Sequence, residues 1–180
     1  MNAGERRFFV LSGCSGGGKS TLLSELAERG YATVEEPGRR IVRQELGNGG
    51  AALPWRDPAA FARRAVALAQ EDWQQAQAAD GPVFFDRGLV DAAAALEHAT
   101  GKPFLESMCS PRHFHHMMFL AQPWPELFGQ DTERRHDFGE AVAEFERLVK
   151  AYRSLNYTVV PLPKAPVQTR ADFVVSMTAV

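Results

Sequence analysis

Gly13-Cys14-Ser15-Gly16-Gly17-Gly18-Lys19-Ser20 is an uninterrupted G-x-x-x-x-G-K-[S/T] octamer, and Thr21 follows it directly. That spacing specifies a phosphate-binding loop. Glycines let successive backbone N–H groups turn inward toward phosphate oxygens, and the helix behind them presents its positive end. Lys19 supplies a point charge for the β- and γ-phosphates, and Ser20 supplies a hydroxyl for the Mg²⁺ that travels with a nucleotide. On this reading Gly13, Ser15, Gly16, Gly17, Gly18, Lys19, Ser20 and Thr21 contact the nucleotide. The octamer acquires this meaning only between a strand and a helix, and both are readable. Phe8-Phe9-Val10-Leu11 is a continuous apolar run of the kind a buried parallel strand shows, and Thr21 to Ala27 reads as a helix that ends at Gly30. Cys14 is either an oxidisable thiol near a helix N-terminus or a small filler at a variable loop position.

Outward from the loop, Tyr31 to Glu35 reads as a second strand, broken by Glu36-Pro37-Gly38. Two carboxylates, Glu35 and Glu36, thus stand at the C-terminal end of a strand, the end that faces the ligand crevice in open α/β sheets. Arg39 to Leu46 predicts a short helix carrying Arg39, Arg40 and Arg43, closed by Gly47-Asn48-Gly49-Gly50 and leading into a connection to residue 54. Asp57-Pro58 is a helix start, and Phe61, Ala65, Leu68, Ala69, Trp73 and Ala76 recur at helical spacing over 58 to 79. After Asp80-Gly81-Pro82, Val83-Phe84-Phe85-Asp86 is an apolar strand ending in an acid, the pattern of a Walker B segment whose Asp86 holds Mg²⁺ through water. Arg87 and Gly88 come next, then helices over 89 to 99 and 103 to 109.

His113 to Leu120 has the character of a fourth strand, in which alternation would place His113 and His115 on one face. That pairing admits a metal site or two structurally satisfied histidines. Pro123-Trp124-Pro125 opens a loop, and Gln130 to Arg135 is dense in charge, either a solvated face or a lid. A long amphipathic helix over 136 to 155, a fifth strand at Tyr157 to Val160 and a closing helix over 168 to 177 complete the chain. Strands alternating with helices imply a parallel sheet covered on both faces.

The 180 residues and 45% hydrophobic content suit one domain spanning 1–180, with a lid at about 124–135. A net charge of -2 leaves no basic footprint for duplex nucleic acid or an anionic membrane. No apolar run approaches the roughly 20 residues that span a bilayer, and residues 1–7 are polar without a signal-peptide core, so a cytoplasmic protein is expected. Two cysteines make no disulfide framework. No Asn-Lys-x-Asp element of a guanine-specific switch is found in these residues, and no extended segment of them looks like the second domain of an oligomeric ATPase, so a small single-domain nucleotide enzyme is expected.

The run Gly13 to Thr21, the turn Glu35-Glu36-Pro37-Gly38-Arg39, the strand ending Asp86-Arg87-Gly88, and Gln130 to His136 together resemble bacterial predicted ATPases. These group with kinase-like P-loop proteins that include the kinase domain of the nicotinamide-riboside regulator. The resemblance extends from the first strand to Arg170-Ala171-Asp172-Phe173. It implies an α/β P-loop NTPase fold, a three-layer sandwich with a five-stranded parallel sheet in the order 2-3-1-4-5. Deoxynucleoside kinases, more distant relatives, carry Glu-Pro after the second strand and Asp-Arg-Ser after the third; this chain has Glu36-Pro37 and Asp86-Arg87, with Gly88 in place of the serine.

Together the phosphate loop and the resemblance imply ATP and Mg²⁺ as cofactors and phosphoryl transfer to a hydroxyl of a nucleoside-like or other small acceptor. Glu36 is the first choice for the base and Glu35 the second, with a salt bridge from Glu36 to Arg39 or Arg40 as the structural alternative. Arg87 either anchors the acceptor or is structural. Arg134 and Arg135 would close over the γ-phosphate as lid residues. The alternative function is a nucleotide-dependent ATPase or switch module that regulates a partner.

Overall fold

The computed structural model describes residues 7–110, 112–127 and 138–178. Among them five strands, β1 (Phe8–Gly13), β2 (Ala32–Val34), β3 (Val83–Asp86), β4 (Met117–Ala121) and β5 (Thr158–Pro161), form one sheet in the order β2-β3-β1-β4-β5. Every pairing is parallel. The helices are α1 (Lys19–Glu28), α2 (Pro37–Asn48), α3 (Pro58–Ala76), α4 (Leu89–Thr100), α5 (Leu105–Cys109), α6 (Phe138–Ser154) and α7 (Val167–Thr178). The expected fold class and strand order are thus the observed ones.

Strand β1 is apolar at consecutive positions because both of its faces are covered. Phe8 and Val10 join Phe85, Met118 and Leu120 in one core, packed with Ala65, Leu89, Leu96 and Tyr152 from the helices on that side. Phe9 and Leu11 point the other way and join Phe84, Phe119, Leu22 and Leu26 of α1, and Ala171 and Val174 of α7. The result is three layers, helix, sheet and helix. Aromatic pairs bind the central strands on each face: Phe8 meets Phe85 edge-on at 5.7 Å, and Phe9 stacks on Phe84 at 5.6 Å.

Register fixes the functional edge. Leu11 of β1 lies beside Asp86 of β3, and Gly13 lies beside Ala121 of β4. The carboxyl ends of the central strands therefore arrive together at the edge where open α/β sheets bind ligands.

Several boundaries move from their expected places. Helix α2 starts at Pro37, with Glu36 as the residue before its first turn, and runs through Gly47 to Asn48 before Gly49, at φ 67°, ends it. A glycine in a last turn costs only about 1 kcal/mol, so the helix continues until a left-handed exit is available. Helix α3 opens as expected, Asp57 Oδ1 accepting the Ala60 N–H at 2.9 Å, but stops at Ala76.

The largest correction concerns the histidines. Strand β4 begins at Met117, so His113, His115 and His116 precede it and strand alternation does not govern them. His113 packs edge-on against Trp73 of α3 at 4.9 Å, and its carbonyl accepts the Trp73 Nε1–H at 2.9 Å. His115 lies against Phe9 at 4.7 Å, on the other side of the sheet, and its Nδ1 accepts the Met117 N–H at 3.2 Å. Among the described residues no group of three or more His, Cys, Asp and Glu is placed to hold a metal ion. Nor is any described helix long and apolar enough to cross a membrane.

Candidate functional site

The loop after β1 is shaped by how closely it passes β4. Gly13 has φ 118°, and a Cβ there would lie 2.2 Å from the Ala121 carbonyl oxygen, so no side chain fits. Gly16 at φ 84° and Gly18 at φ 71° are also left-handed, while Gly17 passes against Ala121. Lys19, the first residue of α1, is 5% exposed, and its Nζ donates to the carbonyls of Gly13 at 3.2 Å and Cys14 at 2.8 Å. The loop is folded around its own lysine. Ser15, Gly16, Gly18, Lys19, Ser20, Thr21, Glu36 and Arg39 bound a cavity of about 230 Å³ above it. Cys14 is buried, and burial pushes its thiol up against the opposing charge of Lys19, which leaves a packed, protonated filler.

Asp86 ends β3 next to this loop. Its Oδ2 accepts the Ser20 hydroxyl at 3.0 Å, whereas Oδ1 is buried without a partner. Burial pushes its carboxyl up, opposed chiefly by the charge of Lys19. A buried acid oxygen lacking a protein partner, beside a serine hydroxyl, fits a hard cation reached through water.

Arg87 then adopts φ 64°, an uncommon conformation for a residue with a Cβ. Its N–H continues the sheet ladder to the Leu11 carbonyl at 2.9 Å, so the turn is anchored as it redirects the side chain. The guanidinium meets Glu36 Oε1 at 3.0 Å from Nε, in ion-pair rather than hydrogen-bond geometry, and Glu144 Oε1 at 2.9 Å from Nη1. Asp91 Oδ1 lies farther from Nη1, at 3.8 Å. Burial alone would lower the Arg87 pKa, yet Glu144, Glu36 and Asp91 hold it well above its ordinary value.

Gly88 is explained by space: a Cβ would lie 2.9 Å from Phe114 Cζ and 3.4 Å from Val10 Cγ2, both in buried side chains. The serine of the deoxynucleoside kinase pattern would require the Phe114 ring to shift behind this turn. Asp91, three residues on, accepts the Gly88 N–H at 2.9 Å, the Tyr152 hydroxyl at 2.5 Å and the Ser12 hydroxyl.

The two acids after β2 separate. Glu35 turns to Arg43, which reaches both of its oxygens at 2.7 Å on an exposed face, and it lines neither cavity. Glu36 faces the crevice. Besides Arg87 it has Arg39 Nε at 3.4 Å from Oε2, whereas Arg40 is committed to Asp72 at 2.7 Å. A second cavity of about 510 Å³ adjoins the first, and Ser15, Glu36 and Arg39 line both. Its walls come from α2, α3, α4, α6 and the 49–57 connection, with Val42, Trp55, Phe61 and Ala95 giving apolar surface, and Arg87, Asp91, His98, Glu144 and Arg147 polar groups.

Arg134 and Arg135 lie outside the described residues. Of the expected lid, residues 124 to 127 are described; Pro125–Leu127 form a short 3₁₀ turn, and the Trp124 ring lies 5.8 Å from the Arg170 guanidinium. Arg170 of α7 donates to the Gly18 carbonyl at 2.9 Å and so braces the loop from behind.

Sequence reasoning does not single out Glu144, Asp91 or Tyr152. Asp91 carries a local signal, an acid in the first turn of a helix that opens at glycine. Glu144 is one of several acids on α6, and only the fold sets it beside Arg87. There its Oε2 accepts the Ser15 N–H at 3.4 Å, and although burial alone would raise its carboxyl, Arg87 brings it below its ordinary value.

Known proteins similar to this chain agree with the fold. The family described as an AAA domain matches residues 8–170. A nucleotide-binding protein of Granulibacter bethesdensis is 35% identical over 98 residues, covering 53% of this chain and 30% of that protein. The chain thus matches under a third of that relative's length. Shikimate kinase from Acinetobacter baumannii, solved in complex with shikimate, superposes with a TM-score of 0.58 at 16% identity, covering 95% of this chain and 92% of the kinase. Deoxyadenosine kinase from M. mycoides with bound dATP gives a TM-score of 0.60 at 13% identity, covering 97% of this chain and 100% of the other. These likenesses establish a kinase-like arrangement of the P-loop fold. With its phosphate loop intact and the family match running from β1 into α7, the chain belongs to the AAA-domain family of P-loop nucleotide-binding proteins.

Proposed function

We propose that this protein is an ATP-dependent small-molecule kinase that transfers the γ-phosphate to a hydroxyl of a nucleoside-like or other small acceptor. The observation that carries the reading is the sharing of Ser15, Glu36 and Arg39 between the loop cavity and the larger cavity. A phosphate held over Lys19 and an acceptor among Phe61, Trp55 and Val42 would meet at Glu36. Aromatic and aliphatic walls with a few convergent polar groups are what a ring-bearing small molecule requires.

The loop amides and Lys19 would cradle the phosphates. Ser20 and Asp86 would hold Mg²⁺, which, when bound, offsets phosphate charge. Glu36 would accept the proton of the acceptor hydroxyl as its oxygen bonds to phosphorus and the β–γ bridge breaks, releasing ADP. Arg87, held charged by its carboxylates, would position Glu36 and neutralise the transferring group. Arg134 and Arg135 keep the lid role that the sequence suggests.

Glu36→Gln is the discriminating variant. Loss of a general base lowers turnover by roughly 10²- to 10⁴-fold, and nucleotide affinity measured by calorimetry should hold within a few fold. A variant that turns over as the parent does would remove Glu36 from the chemistry.

A further inference from the structure

Glu144 places an acid where bound nucleotide would bring negative charge. We infer that the Ser15 N–H and the Arg87 guanidinium form an oxyanion subsite for the terminal phosphoryl group, which Glu144 holds as an internal stand-in until nucleotide displaces it. The inference rests on reading the loop as a nucleotide site and adds how that site is controlled.

Each oxygen of Glu144 has one of these donors: Oε2 is 3.4 Å from the Ser15 nitrogen, and Oε1 is 2.9 Å from Arg87 Nη1. A carboxylate and a phosphoryl group seek the same charge-assisted donors. Ser15 lines both cavities, and Arg87 and Glu144 line the larger one, so the subsite stands at the junction where transfer would occur.

The surroundings decide which group yields. Arg87 is fixed by its backbone bond to Leu11, and its side chain is largely buried. Asp91 is locked by Ser12, Tyr152 and the Gly88 N–H. Glu36 is shared between Arg87 and Arg39. Glu144 is the most exposed of the three carboxylates around Arg87, at 29% against 20% for Glu36 and 3% for Asp91, and its long Ser15 contact is weak. A phosphoryl group added beside three carboxylates meets repulsion that the withdrawal of one relieves, and Glu144 is the most exposed of them and is not locked by three hydrogen bonds as Asp91 is. Its departure would hand Arg87 to the transferring group, coupling release of α6 to the arrival of a terminal phosphate.

Calorimetric titration of the parent and Glu144→Gln with a nonhydrolysable ATP analogue and with ADP, both with Mg²⁺, tests this. Glutamine keeps the shape and removes the charge, so the analogue should bind roughly tenfold tighter to the variant, the scale of one charge-assisted contact, while ADP affinity stays nearly constant. Glu144→Ala should tighten the analogue in the same selective way, with melting curves confirming that both variants are folded. Equal tightening for ADP would reveal through-space repulsion rather than a shared subsite and would overturn the inference, as would unchanged or weakened analogue binding. A parent that binds neither nucleotide would overturn the loop reading itself, and this inference with it.

Discussion

Lys19 is buried and bonded to two loop carbonyls, so it serves the loop's own shape as well as any phosphate. Lys19→Ala should therefore remove most nucleotide binding and also loosen the loop, while the cores on either side of the sheet, to which Lys19 contributes nothing, keep the protein folded. Titration of the folded variant with ATP checks this, and parent-like affinity would dismiss the phosphate-loop assignment. Gly88 predicts a different kind of failure. Gly88→Ser forces a side chain against Phe114, and overpacking of this kind costs about 1–3 kcal/mol, readable as a lower midpoint in denaturant with an unchanged slope. Stability equal to the parent would mean that the Phe114 ring moves aside at no cost.

Among the elements, α6 has a double attachment. Tyr152 reaches Asp91 near its C-terminal end, and Glu144 reaches Arg87 and Ser15 nearer its start. The Tyr152 ring is buried and burial pushes its hydroxyl up, so it stays a neutral donor to the Asp91 carboxylate. Tyr152→Phe deletes that donor but leaves Asp91 with Ser12 and Gly88, and should cost about 1–3 kcal/mol in chemical unfolding. A neutral effect would show that Asp91 is satisfied without α6. Legibility from sequence divides along the same line. Strands β1 and β3, apolar at successive positions, and α3, with its Asp57-Pro58 start, are readable because their causes are local. The histidine segment reads as strand although it is not one, because Met117 to Ala121 and the preceding residues share one apolar-aromatic character. Pairing with β5 from Met117 and with β1 from Met118 decides where the ladder begins.

On the scale of the whole molecule, the motif positions are legible and their partnerships are not. Glu35 and Glu36 are indistinguishable as neighbours in sequence; the ion pair with Arg43 and the crevice with Arg87 separate them. Glu144 lies 129 residues from Ser15 and enters only when α6 closes over the sheet. The larger cavity is likewise assembled from four helices and a connection, with no contiguous signature. Its junction with the loop cavity is where the proposed phosphoryl transfer would take place. The most direct measurement tracks γ-labelled ATP with Mg²⁺ and the parent protein, with and without a panel of nucleosides and small polyols. Label appearing on an acceptor, with ADP formed in equal amount and both accelerated by that acceptor, is the predicted result. Release of inorganic phosphate alone, at a slow rate that no member of the panel changes, would contradict it and leave a nucleotide-dependent ATPase or switch.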